Sequence, residues 1–472
     1  MSADGTVGAI ASAVAARRVR AVDLVRAAAE RIDRLDPALN AVVAMRTDAA
    51  LEEAERLDQA LDDGSPAGPL AGVPVLVKDL EDVTGMRTTK GSALLAETAP
   101  AVMDGLTPSR LRRAGAILIG KTNLPEFATE GYTANLLFGA TGNPWAPEWS
   151  PGGSSGGSAA ALAAGMIPIA TGTDGGGSIR IPAALCGLVG IKPTRGLIGR
   201  RPIPDWIDFS TDGPFATNVQ DLRLLLQVEA GPVRGDPESF PLPWTASPQR
   251  PEVLLAAQRT SDLGPLPTAV AHAFDSAVAA LADVLALPVR WMEPTEIFSD
   301  GDPDLDWFTL AAPEHVSALG RDWVHDSLDR MHPGVAAFLR EGLEIGIDDY
   351  LGARRRRYRY VDRLDTLLGT STVLLTPTVA AEGWLADGRL TADQPVGMLP
   401  PSVYSTALQN MTGHPAISLP AGRSPNGVPF GLQVTGPRFA DAMLLDIADR
   451  WQQANPWPRT APGYSPFETV IS

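Results

Sequence analysis

Two glycine- and serine-rich loops, Ser150-Pro-Gly-Gly-Ser-Ser-Gly-Gly-Ser158 and Thr173-Asp-Gly-Gly-Gly-Ser-Ile-Arg180, constrain this chain more than any other feature. Residues without side chains let the backbone turn sharply and approach its neighbours closely, so such loops belong where elements of structure meet. Between them, Ala159–Ala164 has the small apolar residues of a tightly packed helix. Upstream, Val73-Pro-Val-Leu-Val-Lys-Asp79 reads as a buried strand with a lysine at its end.

The surrounding pattern is that of an α/β protein. Within residues 7–35, Leu24, Val25, Ala28, Ile32 and Leu35 recur at helical spacing, and Asp48–Leu61 is a second helical stretch. From Gly72 onward short apolar strands alternate with helices. Strands are expected over Val73–Val77, Ala116–Ile119, Ile167–Thr171 and Leu188–Ile191, with a helix over Thr107–Ala114. Further strands follow at Val373–Pro377, Ala416–Pro420 and Gly431–Thr435, and Asp441–Asn455 closes the chain as a helix. This alternation predicts an α/β sheet with helices packed on it. No composition break divides the sequence, which reads as a single domain over 1–472 with a core over 60–200. Residues 230–310 and 380–400 are richer in Pro, Asp and Trp, so about 230–400 is expected to form a variable, cap-like region.

Of the 39 basic residues only Lys78, Lys90, Lys121 and Lys192 are lysines. Arginine stays protonated, whereas a desolvated lysine can lose its proton and act as a base. A chain that otherwise uses arginine is expected to keep lysine where arginine cannot substitute, a reading that favours Lys78; lysines left at random by a GC-rich genome are the alternative. The formal charge of −16 argues against nucleic acid or an anionic membrane surface as a partner. The run Arg354-Arg-Arg-Arg-Tyr-Arg359 is accordingly expected to be a solvated or acid-paired helix face. Cys186 is the single cysteine, so no intramolecular disulfide forms, and its apolar neighbours predict an inert thiol. No secretory leader is visible, and the longest apolar run, Ala159–Ala170, is too short to span a bilayer. A cytoplasmic location is the expectation.

Breaking an amide requires a nucleophile, a group that accepts a proton and later gives it to the leaving amine, and donors for the oxyanion. Ser178 follows Gly175-Gly176-Gly177, where consecutive backbone N–H groups can converge on one point. The same arrangement suits an anion-binding nest, but neither loop has the Gly-x4-Gly-Lys-Ser/Thr spacing of a phosphate loop. A Ser-His-Asp triad would need one of His272, His315, His325, His332 or His414, none of which flanks the serine loops. Nor do the loops form the Gly-x-Ser-x-Gly elbow of the α/β-hydrolases. No His-x-x-x-His pair accompanies the motifs, so no metal and no cofactor are expected.

These motifs together resemble the amidase signature family. The resemblance is carried by Pro151–Ala160, Gly172-Thr-Asp-Gly-Gly-Gly-Ser-Ile-Arg-Ile-Pro182 and Cys186-Gly-Leu-Val-Gly-Ile-Lys-Pro-Thr194. It extends to Gly72–Asp79, Gly120-Lys-Thr-Asn-Leu-Pro-Glu-Phe127, Asn143-Pro-Trp145, Asn410-Met-Thr-Gly-His-Pro-Ala-Ile-Ser418 and Gly427–Gln433, and is weakest between about 230 and 370. It implies an α/β/α fold with one large mixed sheet covered by helices on both faces. It also implies a Ser–Ser–Lys mechanism, with Ser178 as nucleophile, Ser154 as bridging serine after a cis Gly153–Ser154 peptide, and Lys78 as base. Gly175, Gly176, Gly177 and Ser178 would supply the oxyanion N–H groups, while Asp174 and Arg180 would pair across the loop. Lys78 must then be largely neutral, which requires burial and requires Asp79 to turn away. Thr129 and Glu130 fall where relatives line the acyl pocket.

The resemblance leaves the substrate open. Linear amides, cyclic or oligomeric amides, carbamates and esters all fit the chemistry, and Trp244, Trp291, Trp307, Phe308, Trp323 and Trp384 in the cap-like region suggest an apolar pocket. Amidotransferase A-type subunits share the motifs but typically carry Gln where this chain has Ile181. A non-catalytic binding protein on the same fold is the reading of a different class, and it is opposed by competent residues at all three catalytic positions. Relatives are often homodimers.

Overall fold

The fold is seen in a computed structural model, which describes residues 5–241, 250–298 and 301–468. Its centre is a seven-stranded mixed sheet in the order Phe215–Ala216, Val189–Lys192, Ala416–Arg423, Pro429–Thr435, Thr372–Pro377, Val253–Ala256, Val289–Trp291. The first five strands pair antiparallel, and Val253–Ala256 runs parallel to both its neighbours. Because successive side chains on a strand point to opposite faces, this sheet feeds two cores. Leu254, Ala256, Val373 and Leu375 pack with helices Thr268–Leu285 and Asp441–Ala454. Leu255 and Leu374 pack instead with Pro303–Leu319, Pro333–Glu344 and Ile347–Leu368. Helices therefore cover both faces, as expected.

A four-stranded sheet, in the order Val42–Met45, Ile117–Thr122, Pro74–Lys78, Ile169–Ala170, carries the lysine. Pro74–Lys78 is buried along its whole length and runs parallel to both neighbours, which explains its unbroken apolar sequence. Helix Leu106–Arg113 supplies one crossover and the all-buried helix Gly156–Ala163 leads to the other parallel strand. That second helix can lie so close because its residues are Gly, Ser, Ala and one Leu.

The chain departs from the expected pattern in two places. Residues 7–35 form two helices, Val7–Ala15 and Ala21–Leu35, interrupted where Arg17 takes φ +58°. Within 230–310, Val253–Ala256 and Val289–Trp291 complete the large sheet and Thr268–Leu285 covers it. They are not part of a cap; Val253–Ala256 directly follows the turn-like Pro-Gln-Arg-Pro-Glu252, which hid a short apolar run. By length and composition Thr268–Leu285 could cross a membrane. Here Val270, Phe274, Leu281 and Leu285 are buried against the sheet.

Candidate active site

Lys78 ends its strand fully buried, and its Nζ donates to Ser154 Oγ at 2.7 Å and to Thr173 Oγ1 at 2.9 Å. Its backbone N–H is held by Thr171 Oγ1 at 3.0 Å, while that hydroxyl donates to Glu81. Burial draws the Lys78 ammonium down to about 7, even though Glu81, Asp174 and Asp212 pull the other way. Asp79 turns away, as expected. It accepts from Thr89 and pairs at 3.3 Å with the equally buried Lys121. Lys121 is thus accounted for by its partner.

The Gly153–Ser154 peptide is cis, and Ser154 is 1% exposed at the mouth of helix Gly156–Ala163. Ser178 sits across from it at the end of the glycine run; the Ser155 N–H donates to the Ser178 carbonyl at 3.3 Å. The Ser178 hydroxyl has no hydrogen-bond partner among the described residues, so Ser154 and Ser178 share a cavity without being bonded to one another. Catalytic hydrogen bonds often close only around substrate.

Asp174 and Arg180 do pair, fully buried. Asp174 Oδ1 accepts from Arg180 Nη2 at 2.9 Å and Oδ2 from Arg180 Nε at 3.0 Å. Burial alone would raise this carboxyl, but the Arg180 charge, with hydrogen bonds from Arg180 and Asn410, outweighs it and holds it at about 2. Arg180 also reaches Gln409, Asn410 and Gln433, so the loop is tied to helix Ala407–Thr412 and to the large sheet. Asp174 in turn takes the N–H groups of Gly177 at 2.8 Å and Ile179 at 3.2 Å. The Gly177 amide is therefore committed to the carboxylate, leaving those of Gly175, Gly176 and Ser178 without an acceptor among the described residues.

The loop can be only glycine. Gly177 has φ +131°, and a Cβ there would lie 2.1 Å from Thr406 Oγ1. A Cβ on Gly176 would lie 2.8 Å from the ring of Trp307. From the other side Trp307 Nε1 donates to the Gly175 carbonyl at 2.8 Å and Thr406 Oγ1 donates to that of Gly176.

Two chambers meet at Ser178. The first is apolar, walled by Trp206, Trp307, Phe308, Phe338, Leu399 and Tyr404, and includes Thr129, Glu130 and Ile181. The second is polar and contains Ser154, Thr173, Glu81, Asp212, Lys90 and Arg200 among its lining. Of the aromatic residues expected here, Trp307 and Phe308 reach the apolar chamber. Trp323 instead packs edge-on to Phe127, Trp384 lies in a separate core, and Trp291 is 49% exposed beside Phe274. Trp244 lies outside the described residues. Trp206, Thr406, Thr171 and Thr173 were not singled out by sequence. Thr171 and Thr173 could have been, since they flank Gly172 in the loop motif.

His315 lines the polar chamber between Phe127, Trp206 and Phe338. Burial holds it at about 4, and neither ring nitrogen has a hydrogen-bond partner among the described residues. No Ser–His pair forms among them either. Cys186 is buried and its thiol is pushed upward by desolvation, consistent with an inert side chain. In the arginine run, Arg354 and Arg357 pair with Asp208, and Arg356 with Asp306, the acid-paired face expected.

Comparison with known proteins places this geometry. The Amidase family model matches residues 23–297 and 315–445. An acylamidase of Rhodococcus erythropolis is 33% identical over 97% of this chain and 96% of its own. The A-type subunit of a glutamyl-tRNA(Gln) amidotransferase from Aromatoleum aromaticum is 33% identical over 94% of this chain and 96% of its own. The solved structure of a bacterial aryl acylamidase of the amidase signature family superimposes with a TM-score of 0.86, at 26% identity and covering 96% of both chains. This chain belongs to the amidase signature family, hydrolases acting on carbon–nitrogen bonds.

Proposed function

We propose that this protein hydrolyses amides of apolar acyl groups through an acyl-enzyme on Ser178. The observation that carries the reading is the buried Lys78–Ser154 hydrogen bond of 2.7 Å, which gives a lysine of lowered proton affinity a serine facing the nucleophile's cavity. Ser178 Oγ attacks the carbonyl carbon as its proton passes to Ser154 Oγ, whose own proton passes to Lys78 Nζ. The N–H groups of Gly175, Gly176 and Ser178 receive the oxyanion. The carbon–nitrogen bond then breaks as Ser154 protonates the amine and recovers a proton from Lys78, leaving the Ser178 ester. Water repeats the cycle and releases the carboxylate.

Ser154 lines the polar chamber and not the apolar one. The group it protonates leaves on that side, so the amine belongs to the polar chamber and the acyl group to the apolar one. Ile181 within the apolar chamber supports an apolar acyl group. Carbamates and cyclic or oligomeric amides present the same carbonyl and remain within this chemistry.

The test is a panel of anilides, aliphatic amides, aryl carbamates and cyclic oligoamides given to the purified single chain without tRNA or ATP. Rapid quenching and peptide mass mapping then follow. The expected result is turnover with a transient acyl adduct on the Ser178 peptide. An adduct elsewhere would overturn the nucleophile assignment, and turnover that requires tRNA, ATP or a second chain would mark a component of an amidotransferase instead.

A further inference from the structure

Lys78 takes up a proton in each half of the proposed cycle, yet no carboxylate lies within ion-pair distance of it among the described residues. Its Nζ donates only to the hydroxyls of Ser154 and Thr173. A buried ammonium without a counter-charge is costly. Two carboxyls stand one hydroxyl away. Thr173 Oγ1, which accepts from Nζ, lies on a short strand, Thr173–Asp174, that pairs antiparallel with Thr211–Asp212. Thr173 is directly opposite Asp212 in that pair, so the two side chains share a face. Thr171 Oγ1, which accepts the Lys78 backbone N–H, donates to Glu81. Glu81 and Asp212 both line the polar chamber beside Ser154 and Thr173.

The other charged groups around Lys78 and these two acids are engaged elsewhere. Asp79 pairs with Lys121, Asp174 with Arg180, Lys90 with Asp205, and Arg200 with Asp236 and Glu238. Arg110 gives its guanidinium N–H groups to the carbonyls of Glu229, Gly231 and Pro232. Burial holds the Glu229 carboxyl, which acts on both acids, well above the usual carboxylate range. Asp212 Oδ2 accepts from Thr107 at 2.6 Å, and neither Asp212 nor Glu81 makes an ion pair among the described residues. Burial and the charge of Asp212 push Glu81 up to about 8, and burial raises Asp212 in turn. Neighbouring carboxyls that oppose one another's ionisation hold less than two charges between them at neutral pH, and a single lysine needs only one. Resting on the assignment of Lys78 as the base, we infer that Glu81 and Asp212 are positioning residues of the relay. Together they supply the counter-charge that lets a lysine buried among hydroxyls take up a proton.

The chain has only four lysines, so isotopically labelled lysine gives an NMR spectrum in which Lys78 is identified by its loss in Lys78→Arg. The shift of its Cε against pH reads the protonation of Lys78 in the resting enzyme, with no substrate and no turnover. The wild-type midpoint is expected at about 7. Asp212→Asn and Glu81→Gln remove charge at nearly constant shape, and each should lower the midpoint. The double variant should lower it by about one pH unit, a tenfold loss of proton affinity. A folded double variant whose midpoint is unchanged or raised overturns the inference. If thermal melts show that the double variant has not folded, unchanged midpoints in both single variants overturn it as well. In turnover of an anilide that wild type cleaves, the acid limb of kcat/KM should move down with the NMR midpoint while its plateau falls. A limb that stays in place while the midpoint moves would uphold the counter-charge and remove Lys78 as the base, so the two failures are distinguishable.

Discussion

The two surfaces that meet at Ser178 are built on opposite principles. The floor, made of Lys78, Ser154 and residues 173–180, is a polar network tied together by buried hydrogen bonds, with the Ser178 hydroxyl and the N–H groups of Gly175, Gly176 and Ser178 left open among the described residues. Asp174 alone receives N–H groups from Gly177, Ile179, Arg180 and Asn410, and Arg180 spends its donors on four side chains. The wall is made of side chains from distant helices and loops, Trp307, Phe338, Leu399 and Tyr404, whose packing is largely apolar. A hydrogen-bonded floor has one arrangement and loses it abruptly, whereas an apolar wall can be reshaped gradually. On the function proposed above, chemistry belongs to the first surface and selectivity to the second.

The contrast fails at once if the floor tolerates change. Ser178→Ala and Lys78→Ala are expected to lower kcat by about 10³–10⁴-fold or more, because the relay acts as a unit. Substrate affinity, set mainly by the wall, should change little, which equilibrium binding of an unreacted amide will show. Near-full activity in Lys78→Ala would place the base elsewhere. Gly177→Ala is the next strongest test. A Cβ at φ +131° and 2.1 Å from Thr406 Oγ1 must shift the loop, and a misplaced oxyanion site costs about 10²–10³-fold in kcat. A folded Gly177→Ala enzyme with unchanged kcat would show that the loop is not the rigid surface described.

The same division explains what could be read from the sequence. Floor residues are contiguous in short motifs, so Lys78, Ser154, Asp174, Ser178 and Arg180 were identifiable before their distances were known. What the motif did not show was that the Gly177 N–H faces Asp174, because adjacent glycines look alike in sequence and only the backbone direction separates them. Wall residues are scattered from Thr129 to Ala407, and an aromatic residue in a helix reads the same whether it faces a cavity or a core. Trp307 and Trp384 could not be told apart, and Trp206 lay outside the region expected to supply the wall. Strands at 74–78, 189–192 and 372–377 were legible from apolar runs, while Val253–Ala256, set in a stretch rich in Pro and Asp, was not.

A sharper test of the floor is its pH dependence. The base must be neutral to accept a proton, and burial brings Lys78 to about 7. With a single ionisation controlling the step, kcat/KM should rise about tenfold per pH unit below this value and level off above it. Substituting Lys78→Arg keeps the positive charge but removes the titration, so that variant should stay inactive at every pH. A profile that falls as pH rises through about 7 would require the charged lysine, and the relay would then run in another direction.

The smallest expected effect lies where wall and floor touch. Trp307 Nε1 donates to the Gly175 carbonyl at 2.8 Å, and its ring stands against Gly176. Trp307→Phe keeps most of the apolar surface but leaves that carbonyl without its partner, a loss of about 0.5–1.5 kcal/mol for a neutral hydrogen bond. If the contact serves only to brace the loop, kcat should drop about two- to tenfold and by the same factor for short and long acyl chains. If instead the ring mainly shapes the acyl chamber, KM should change and the ranking of acyl chains with it. Measuring kcat and KM separately across acyl length therefore decides whether Trp307 belongs to the floor or to the wall. A kcat loss as large as that of Gly177→Ala would mean that the two surfaces are one.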